Sequence, residues 1–502
     1  MNRLSFQSFL PGSAGLLYDA LLVGTPEGAA AGPHLWAGSS PGGVLQGYGL
    51  RSSGAPVSDG AARGIGGTGT PLLRDMDLAD GQMTGTAGGA LLSVTGMAGQ
   101  LRLHPVAASG ALSAGQAVTD TRGQPLGVSE VELFRIGGQT YMVAASAARE
   151  GLALYRMSDG LAQAQLLQEV EDAPKTTLSG VSDLLSLDLG GTRFVVSASA
   201  SEDGLSVHAV TQNSLELRDS LGARDGLWVN GLEDIALLEA GGQSFVIAGS
   251  ALSGTLAAVR INPMGVLFVE DILHDTLETR FGGVQALDTF QAAGRSFILA
   301  GGNDGGLALV ELLPGGRLFH HQSLAQDTGW DIGHLQALDT AVTGDSLQVF
   351  ASGSTGPGVA RLTLSLQDLG APQTGTGGHD RLTGGAGDDL LSGLWGNDTL
   401  LGGAGDDLIF AGPGADVMTG GAGEDIFVVT ADGQTDRITD FQFGQDRIDL
   451  SDWGRIYDHR DLSFERADWG GRILWRGQQI DVQRDGGGAI PIDMWSQDDF
   501  RF

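Results

Sequence analysis

The sequence predicts an all-β protein: a seven-bladed β-propeller followed by a parallel β-roll with a C-terminal cap. Three observations lead to this prediction. A unit of about 52 residues recurs through residues 1–365, six nonapeptides then follow without a gap, and turn residues separate short apolar runs throughout the first part. Closely spaced turns and strongly β-forming runs are typical of antiparallel sheets rather than of strand–helix–strand units.

The long repeat is marked by a glycine that opens a short alternating strand. Successive copies of this glycine are 56, 52, 53, 50, 52 and 52 residues apart: Gly43, Gly99, Gly151, Gly204, Gly254, Gly306 and Gly358. The third copy contains four strands, VELFRI, TYMVAA, LALYRM and AQLLQEV. Four strands in a repeat of this length make one propeller blade, so seven copies predict seven blades. The strand NRLSFQSFL near the N-terminus is predicted to complete the last blade.

Two other architectures stay open for residues 1–365, because the first two copies of the repeat are irregular. They are a pair of β-sandwiches and another kind of β-solenoid. The repeat pattern shows neither the WD dipeptide nor a sialidase-type Asp box, so it indicates an architecture and not a propeller family.

The nonapeptides occupy residues 375–428, and three of their nine positions are constant. The fourth residue is always Gly, and the eighth is always apolar: Leu382, Leu391, Leu400, Ile409, Met418 and Phe427. The sixth is always Asp: Asp380, Asp389, Asp398, Asp407, Asp416 and Asp425. Glycine permits tight turns, and carboxylate and carbonyl oxygens suit Ca²⁺. Two nonapeptides make one coil, so turns eighteen residues apart stack.

The alternative is a flexible Gly/Asp linker. Such a linker has no reason to keep an apolar residue at every eighth position, so the β-roll is favoured. Residues 375–428 nevertheless contain nine acidic residues and one Arg. Without metal these carboxylates would repel one another, so we expect metal binding and folding of this region to be one event.

The nonapeptides and the segment that follows them resemble the RTX (repeats-in-toxin) family. The second match is DRITDFQFGQDRIDLS, from Asp436 to Ser451. The resemblance implies that the turn carbonyls and the six sixth-position aspartates bind several Ca²⁺ ions, and that residues 429–502 form a cap. It also implies a secreted, extracellular protein whose C-terminal region is read by a type I secretion apparatus. Asp436, Asp440 and Asp446 are either further calcium ligands or part of a solvated surface.

Composition limits the remaining possibilities. The net charge of −32 argues against nucleic acid or an anionic membrane surface as a partner. The chain has no Cys, and no apolar stretch approaches the length of a transmembrane segment. The N-terminus lacks the apolar core of a cleaved secretory signal. The predicted divisions are a propeller over 1–365, a linker over 366–374, the β-roll over 375–428, and the cap with its secretion signal over 429–502.

The role of the propeller is left open by the sequence. The C-terminal part resembles that of secreted serralysin-type metalloproteases, but no H-E-x-x-H zinc motif is present. Five polar residues at predicted strand starts would ring one mouth of the channel, either to hold a cation or a sugar or simply as solvated positions: Glu130, Asp183, Asp234, Gln285 and Gln336. A module that binds a glycan or a cell-surface protein is favoured. An extracellular hydrolase or lactonase with its active site over the channel, and a structural surface-layer component, are the alternatives.

Overall fold

The computed structural model describes residues 3–10, 20–25, 33–39, 44–51, 55–63, 73–79, 88–95, 100–107, 109–146, 149–327, 329–355 and 358–502. The chain divides into two compact units. The first holds Arg3–Phe290 and Ser296–Leu364, and the second holds Ser365–Phe502 with the short segment Gln291–Arg295.

The first unit is a seven-bladed β-propeller, as the sequence predicts. Its N-terminal strand is β1 (Ser5–Phe9). Blades one to three are built from β2 Ala20–Gly24, β3 His34–Ser39, β4 Val44–Gly49 and β5 Val57–Arg63; β6 Leu73–Ala79, β7 Gly88–Thr95, β8 Gln100–Ala107 and β9 Gln116–Ala117; and β11 Val131–Ile136, β12 Gln139–Ser146, β13 Arg149–Met157 and β14 Gln163–Glu171, with the short β10 Thr119–Asp120 added alongside β14.

The remaining blades repeat the same antiparallel order. They are β15 Val181–Leu189, β16 Thr192–Ser199, β17 Gly204–Val210 and β18 Leu215–Leu221; β19 Leu232–Ala240, β20 Gln243–Ser250, β21 Thr255–Ile261 and β22 Leu267–His274; β23 Ala286–Ala292, β24 Arg295–Gly301, β25 Gly306–Leu312 and β26 Leu318–Ala325; and β27 Leu335–Thr343, β28 Ser346–Gly353 and β29 Ala360–Ser365. Two of the marker glycines, Gly43 and Gly99, lie outside the described residues.

The N-terminal strand completes blade seven. Strand β1 pairs antiparallel with β29, with Ser5 opposite Thr363 and Phe6 opposite Leu362. The flanking Leu4 and Leu10 are buried. The prediction for this strand is therefore confirmed: the last blade is closed by residues from the beginning of the chain, which leaves few exposed sheet edges.

The second unit is a parallel β-solenoid with two sheets. Its strands are β30 Leu369–Thr374, β31 Arg381–Thr383, β32 Asp388–Ser392, β33 Thr399–Ala404, β34 Leu408–Phe410, β35 Val417–Ala422, β36 Ile426–Val428, β37 Thr435–Phe441, β38 Arg447–Asp449, β39 Ser463–Ala467, β40 Gly470–Trp475, β41 Gln478–Arg484 and β42 Phe500–Arg501. One sheet has the order β30-β32-β34-β36-β38-β42 and the other β31-β33-β35-β37-β41-β40-β39.

The register of these strands confirms the predicted coil. Arg381 pairs with Thr399 and Leu390 with Leu408, a step of eighteen residues in both sheets. Five of the six eighth-position side chains are fully buried in one core, and the sixth, Leu382, packs against it. A coil of two nonapeptides thus places the eighth residue of each nonapeptide inside the roll, where burial of apolar area stabilises the coil.

The structure differs from the sequence prediction at the predicted linker, 366–374. Residues Leu369–Thr374 form β30, which pairs in parallel with β32. The segment lacks the Gly-x-Gly-x-Asp pattern, so no nonapeptide was recognised there. Its backbone groups nevertheless supply the edge strand of the first coil, because an isolated β32 would leave that edge unpaired.

The C-terminal residues form the cap. Strands β39 to β41 make an antiparallel hairpin extension, and short 3₁₀ turns occupy Ser451–Trp453, His459–Asp461, Ile492–Met494 and Gln497–Asp499. The four apolar residues at the end of the roll are buried in its core: Ile438, Phe441, Ile448 and Leu450. Trp495 lies among the rings of Phe441, Phe443, Phe464 and Phe500, at centroid distances of 4.9–5.7 Å.

A buried histidine in blade four makes the propeller sensitive to acid. His208 on β17 is fully buried, and neither ring nitrogen has a hydrogen-bond partner among the described residues. Burial lowers the pKa of His208 from 6.5 to about 4. The folded state therefore binds fewer protons than the unfolded state between these values. Its stability is fully present above pH 6.5 and falls as the pH drops towards 4.

We therefore expect His208→Leu to remove part of the acid sensitivity. Relative to this variant, the wild type should lose about 2–3 kcal/mol of its free energy of unfolding between pH 7 and pH 4.5. Urea unfolding at several pH values measures this difference. The control is His274→Leu, at an exposed position. Parallel pH curves for the wild type and His208→Leu would contradict the assignment.

Candidate calcium site

The sixth-position aspartates form two files, one on each side of the roll. Because successive turns alternate between the two sides, Asp380, Asp398 and Asp416 share one side, and Asp389, Asp407 and Asp425 share the other. In each file the Oδ1 atom accepts a hydrogen bond from the backbone N–H of the aspartate one coil earlier. The N–O distances are 2.7 Å for Asp380 to Asp398 and 2.8 Å for Asp389 to Asp407.

The second carboxylate oxygen is left free in the middle of the stack. The Oδ2 atoms of Asp398, Asp407, Asp416 and Asp425 are buried, and none has a hydrogen-bond partner among the described residues. Each of these four residues is at most 2 % exposed. An unpartnered carboxylate oxygen removed from water is costly, so four in succession indicate a ligand that the protein atoms do not supply. A divalent cation that prefers oxygen fits this requirement.

Backbone carbonyls converge on the same places. A Cβ atom on Gly402 would lie 2.1 Å from Asp407 Oδ2 and 2.6 Å from the carbonyl oxygen of Gly420. The equivalent position on Gly393 would lie 2.5 Å from both Asp398 Oδ2 and the carbonyl oxygen of Ala411. Glycine at these first positions therefore keeps open a small cradle lined by one carboxylate and one carbonyl oxygen. No three His, Cys, Asp or Glu side chains converge in the described ranges, so such cradles depend on the backbone for ligands.

The two N-terminal aspartates have a different environment. Asp380 Oδ2 accepts hydrogen bonds from the backbone N–H and the hydroxyl of Thr376, at 2.6 and 2.8 Å. Asp389 Oδ2 accepts one from the N–H of Gly385 at 2.6 Å. Thr376 occupies a position of the repeat that is usually glycine. A glycine there would have no hydroxyl group to donate to Asp380 Oδ2. Five of the six aspartates lie between strands, and Asp389 lies at the start of β32. The free oxygens belong to the last four.

Burial and mutual repulsion make the carboxylates energetically unfavourable without a cation. Burial, together with the charges of the nearby Asp425, Asp389 and Asp388, raises the pKa of Asp407 to about 7. Burial likewise raises the pKa of Asp416 to about 7, with Asp398 adding to the shift. A bound divalent cation would reverse these effects, because an opposite charge favours the ionised carboxylate.

The files continue into the cap with a changed spacing. The N–H of Asp416 donates to Asp436 Oδ1 at 3.0 Å, and that of Asp425 donates to Asp446 Oδ1 at 3.2 Å. The steps are 20 and 21 residues instead of 18. Asp440 differs, because both of its oxygens accept backbone N–H groups, those of Gly420 and Gly421. Of the three cap aspartates singled out in the sequence, only Asp436 and Asp446 therefore extend the files.

The channel acids have a structural role in the propeller. Asp183 Oδ2 accepts the N–H of Ile235 from the next inner strand at 2.8 Å, and Asp234 Oδ2 accepts that of Leu287 at 2.7 Å. These carboxylates link neighbouring blades, so the cation or sugar site considered for this ring is not supported by their geometry. Burial raises the pKa of Asp234 to about 6.

The same links continue at residues that sequence reasoning missed. In the next two blades the linking residues are Asp288, which accepts the hydroxyl of Thr340, and Asp339, which accepts the N–H of Val23. Gln285 precedes β23, and Gln336 lies at a bulge between Leu335 and Ala337. Glu130 lies one residue before β11. A bulge changes which residues of the strand face the channel, and no pattern in the sequence indicates where the bulge lies.

The geometry of the second unit is that of a calcium-binding roll, and comparison with protein families agrees. The model of the RTX calcium-binding nonapeptide repeat, which holds four copies, matches residues 374–409 and 392–427. This part of the chain is an RTX repeat region, and RTX nonapeptide repeats bind calcium. The chain thus combines a β-propeller with a region of RTX calcium-binding repeats.

Solved structures similar to the chain are distant. A putative 6-phosphogluconolactonase from Bacteroides uniformis is 16 % identical, with a TM-score of 0.45, over 64 % of this chain and 88 % of that chain. The Dos1 propeller is 12 % identical, with a TM-score of 0.40, over 66 % of this chain and 75 % of that chain. Neither likeness is close enough to transfer an activity. No curated protein is significantly similar in sequence.

Proposed function

We propose that the protein is exported through a type I secretion apparatus, and that its β-roll folds on Ca²⁺ outside the cell. In this proposal the six sixth-position aspartates hold the ions. The observation that carries it is the set of four buried, unpartnered Oδ2 atoms at Asp398, Asp407, Asp416 and Asp425. In low cytosolic calcium these carboxylates would repel one another and keep the chain unfolded for export, whereas millimolar calcium outside fills sites of the weak extracellular class.

The environment of the C-terminal residues supports this order of events. Phe500 is buried against Trp495, and β42 pairs with β38 in a sheet of the roll. A secretion signal in residues 429–502 would therefore be inaccessible once the roll has folded. Among the described residues, no helix combines the length and the apolar character needed to cross a membrane.

An export assay tests the proposal. The full chain, expressed together with a type I exporter, should appear in the medium, and a variant that lacks residues 451–502 should stay in the cell. The variant Asp407→Asn, Asp416→Asn is the control for calcium-driven folding, because we expect it to be exported and then to remain unfolded. Equal amounts of the full chain in the medium with and without the exporter would refute the proposal.

For the propeller we propose a binding role, with a glycan or a cell-surface protein as the ligand. Support comes from large apolar side chains exposed on the loops of blades four to six: Trp228 at 71 %, Leu252 at 78 % and Leu277 at 91 %. Exposed apolar groups on adjacent loops are typical of surfaces that contact a partner. Acidic channel residues that are engaged in holding the blades together support a binding role better than a catalytic one.

A further inference from the structure

A depression lies among the loops at one end of blade six. Residues of three segments line it: Arg280 in the connection between blades five and six, the turn 303–305, and residues 325–327 and 331–334. Its volume is about 680 Å³. The polar residues that line it and matter here are Arg280, Asn303, Asp304, Gln326, Asp331 and His334.

The walls of the depression are held by hydrogen bonds that do not involve its open polar atoms. The N–H of Asn303 donates to the carbonyl oxygen of Gly282 at 2.8 Å. Gln326 uses both ends of its amide, accepting from the N–H of Ile332 at 3.1 Å and donating to the carbonyl oxygen of Gly333 at 2.9 Å. The loops are therefore ordered by their own contacts, and a ligand does not have to arrange them.

Three groups in the depression retain unused hydrogen-bonding capacity. Asp304 Oδ1 is buried and has no partner among the described residues. His334 Nδ1 lies 2.9 Å from the carbonyl oxygen of Asn303, so it must carry the proton, and in the neutral ring Nε2 is an acceptor. No hydrogen bond in the described part of the chain engages the guanidinium group of Arg280.

The backbone of Arg280 adds a further observation. This residue has a φ of +57°, in the left-handed region that non-glycine residues rarely adopt. Its Cβ lies 3.0 Å from the Cβ position that a side chain on Gly306 would have. A non-glycine residue keeps such a backbone conformation only where the surrounding structure holds it there.

These groups define the chemistry of a ligand. One hydroxyl group can donate to Asp304 Oδ1, a second can donate to His334 Nε2, and the oxygen of either can accept from Arg280, so adjacent hydroxyls on one ring satisfy all three. The lining holds three carboxylates, those of Asp304, Asp327 and Asp331, and one guanidinium group, that of Arg280, which disfavours an anionic ligand. A divalent cation would lack its ligand set, since no three acidic or imidazole groups converge in the described ranges.

We propose that this depression binds a neutral sugar residue of a glycan. The proposal rests on the binding role proposed above for the propeller and gives that role a site and a ligand class. The two key contacts are a hydroxyl group that donates to Asp304 and a neighbouring hydroxyl that accepts from Arg280.

Saturation-transfer NMR on the full chain with calcium tests the proposal. The probes are the methyl glycosides of glucose, galactose and mannose, with methyl glucuronide as the anionic counterpart. We expect at least one neutral glycoside to bind, and Asp304→Asn and Arg280→Gln each to raise its Kd at least tenfold. Glu278→Gln is the matched control, because Glu278 is exposed in the same connection and does not line the depression. Thermal unfolding checks that each variant is folded.

Three results would overturn the site: no neutral glycoside binds, both variants bind as the wild type does, or the glucuronide binds more tightly than the neutral glycosides. Binding of the labelled full chain to cultured epithelial cells separates this failure from failure of the proposed function. Cell binding that is the same for the wild type and Asp304→Asn would reject the site and leave the binding role standing. Absence of cell binding by the wild type would reject the binding role itself.

Discussion

The variant Asp407→Asn, Asp416→Asn is expected to raise the calcium concentration needed to fold the second unit by well over tenfold. The two residues lie in the middle of opposite files, and each has one free, buried Oδ2. In both, Oδ1 must still accept a backbone N–H, so the new amide nitrogen would occupy the Oδ2 position and direct a donor at the cation. A lost interaction with a charged group is worth about 1.5–3 kcal/mol, and here two are lost.

Circular dichroism during a titration with free calcium measures the folding midpoint, and excess chelator gives the metal-free baseline. The control variant is Asp468→Asn, Asp498→Asn, which makes the same change in charge at two exposed positions of the cap. Its midpoint should match that of the wild type. If the two double variants shifted the midpoint equally, general charge and not ligand geometry would govern folding.

The second large effect is expected for Phe441→Ala. Phe441 is a cap residue that is 1 % exposed and packs against the last nonapeptide, with ring centroids 6.4 Å from Phe427 and 5.7 Å from Trp495. Removing a buried aromatic ring of this kind costs about 3–5 kcal/mol. Because calcium binding and folding are linked, more calcium should be required before the roll folds.

The same titration checks the prediction, with protease resistance of residues 375–502 as a second measure. Tyr457→Ala is the matched control, since Tyr457 is an aromatic residue of the cap that is 78 % exposed. We expect Phe441→Ala to raise the calcium midpoint and Tyr457→Ala to leave it nearly unchanged. Equal midpoints for the two variants would show that the cap does not contribute to folding of the roll.

Local patterns in the sequence were sufficient to predict most of the fold. A strict period of nine residues fits a coil made of two nonapeptides, in which the eighth residue of each nonapeptide points inward. The repeat of about 52 residues predicted the blades in the same way, and β1 was recognised as the missing strand of blade seven. In both cases the signal is dense, because each copy repeats the same alternation of glycine and apolar residues.

Contacts between residues far apart in the sequence were not predictable in this way. Strand β30 carries no repeat motif and is a strand only because β32 offers it an edge. The channel links at Asp288 and Asp339 join strands that are about fifty residues or more apart, and the depression at blade six is lined by three segments that share no motif.

The sequence by itself determined the periodicity, the calcium-binding class of the repeats and the eighteen-residue spacing of the aspartates along each side of the roll. Only the tertiary structure decided which of their oxygens are free: Thr376 and Gly385 engage Oδ2 of the first two, and Oδ2 of the last four is buried without a partner among the described residues. The reason is physical. A carboxylate has two oxygens, and which of them is engaged depends on neighbours a full coil away, whose positions are set by folding and not by the order of residues.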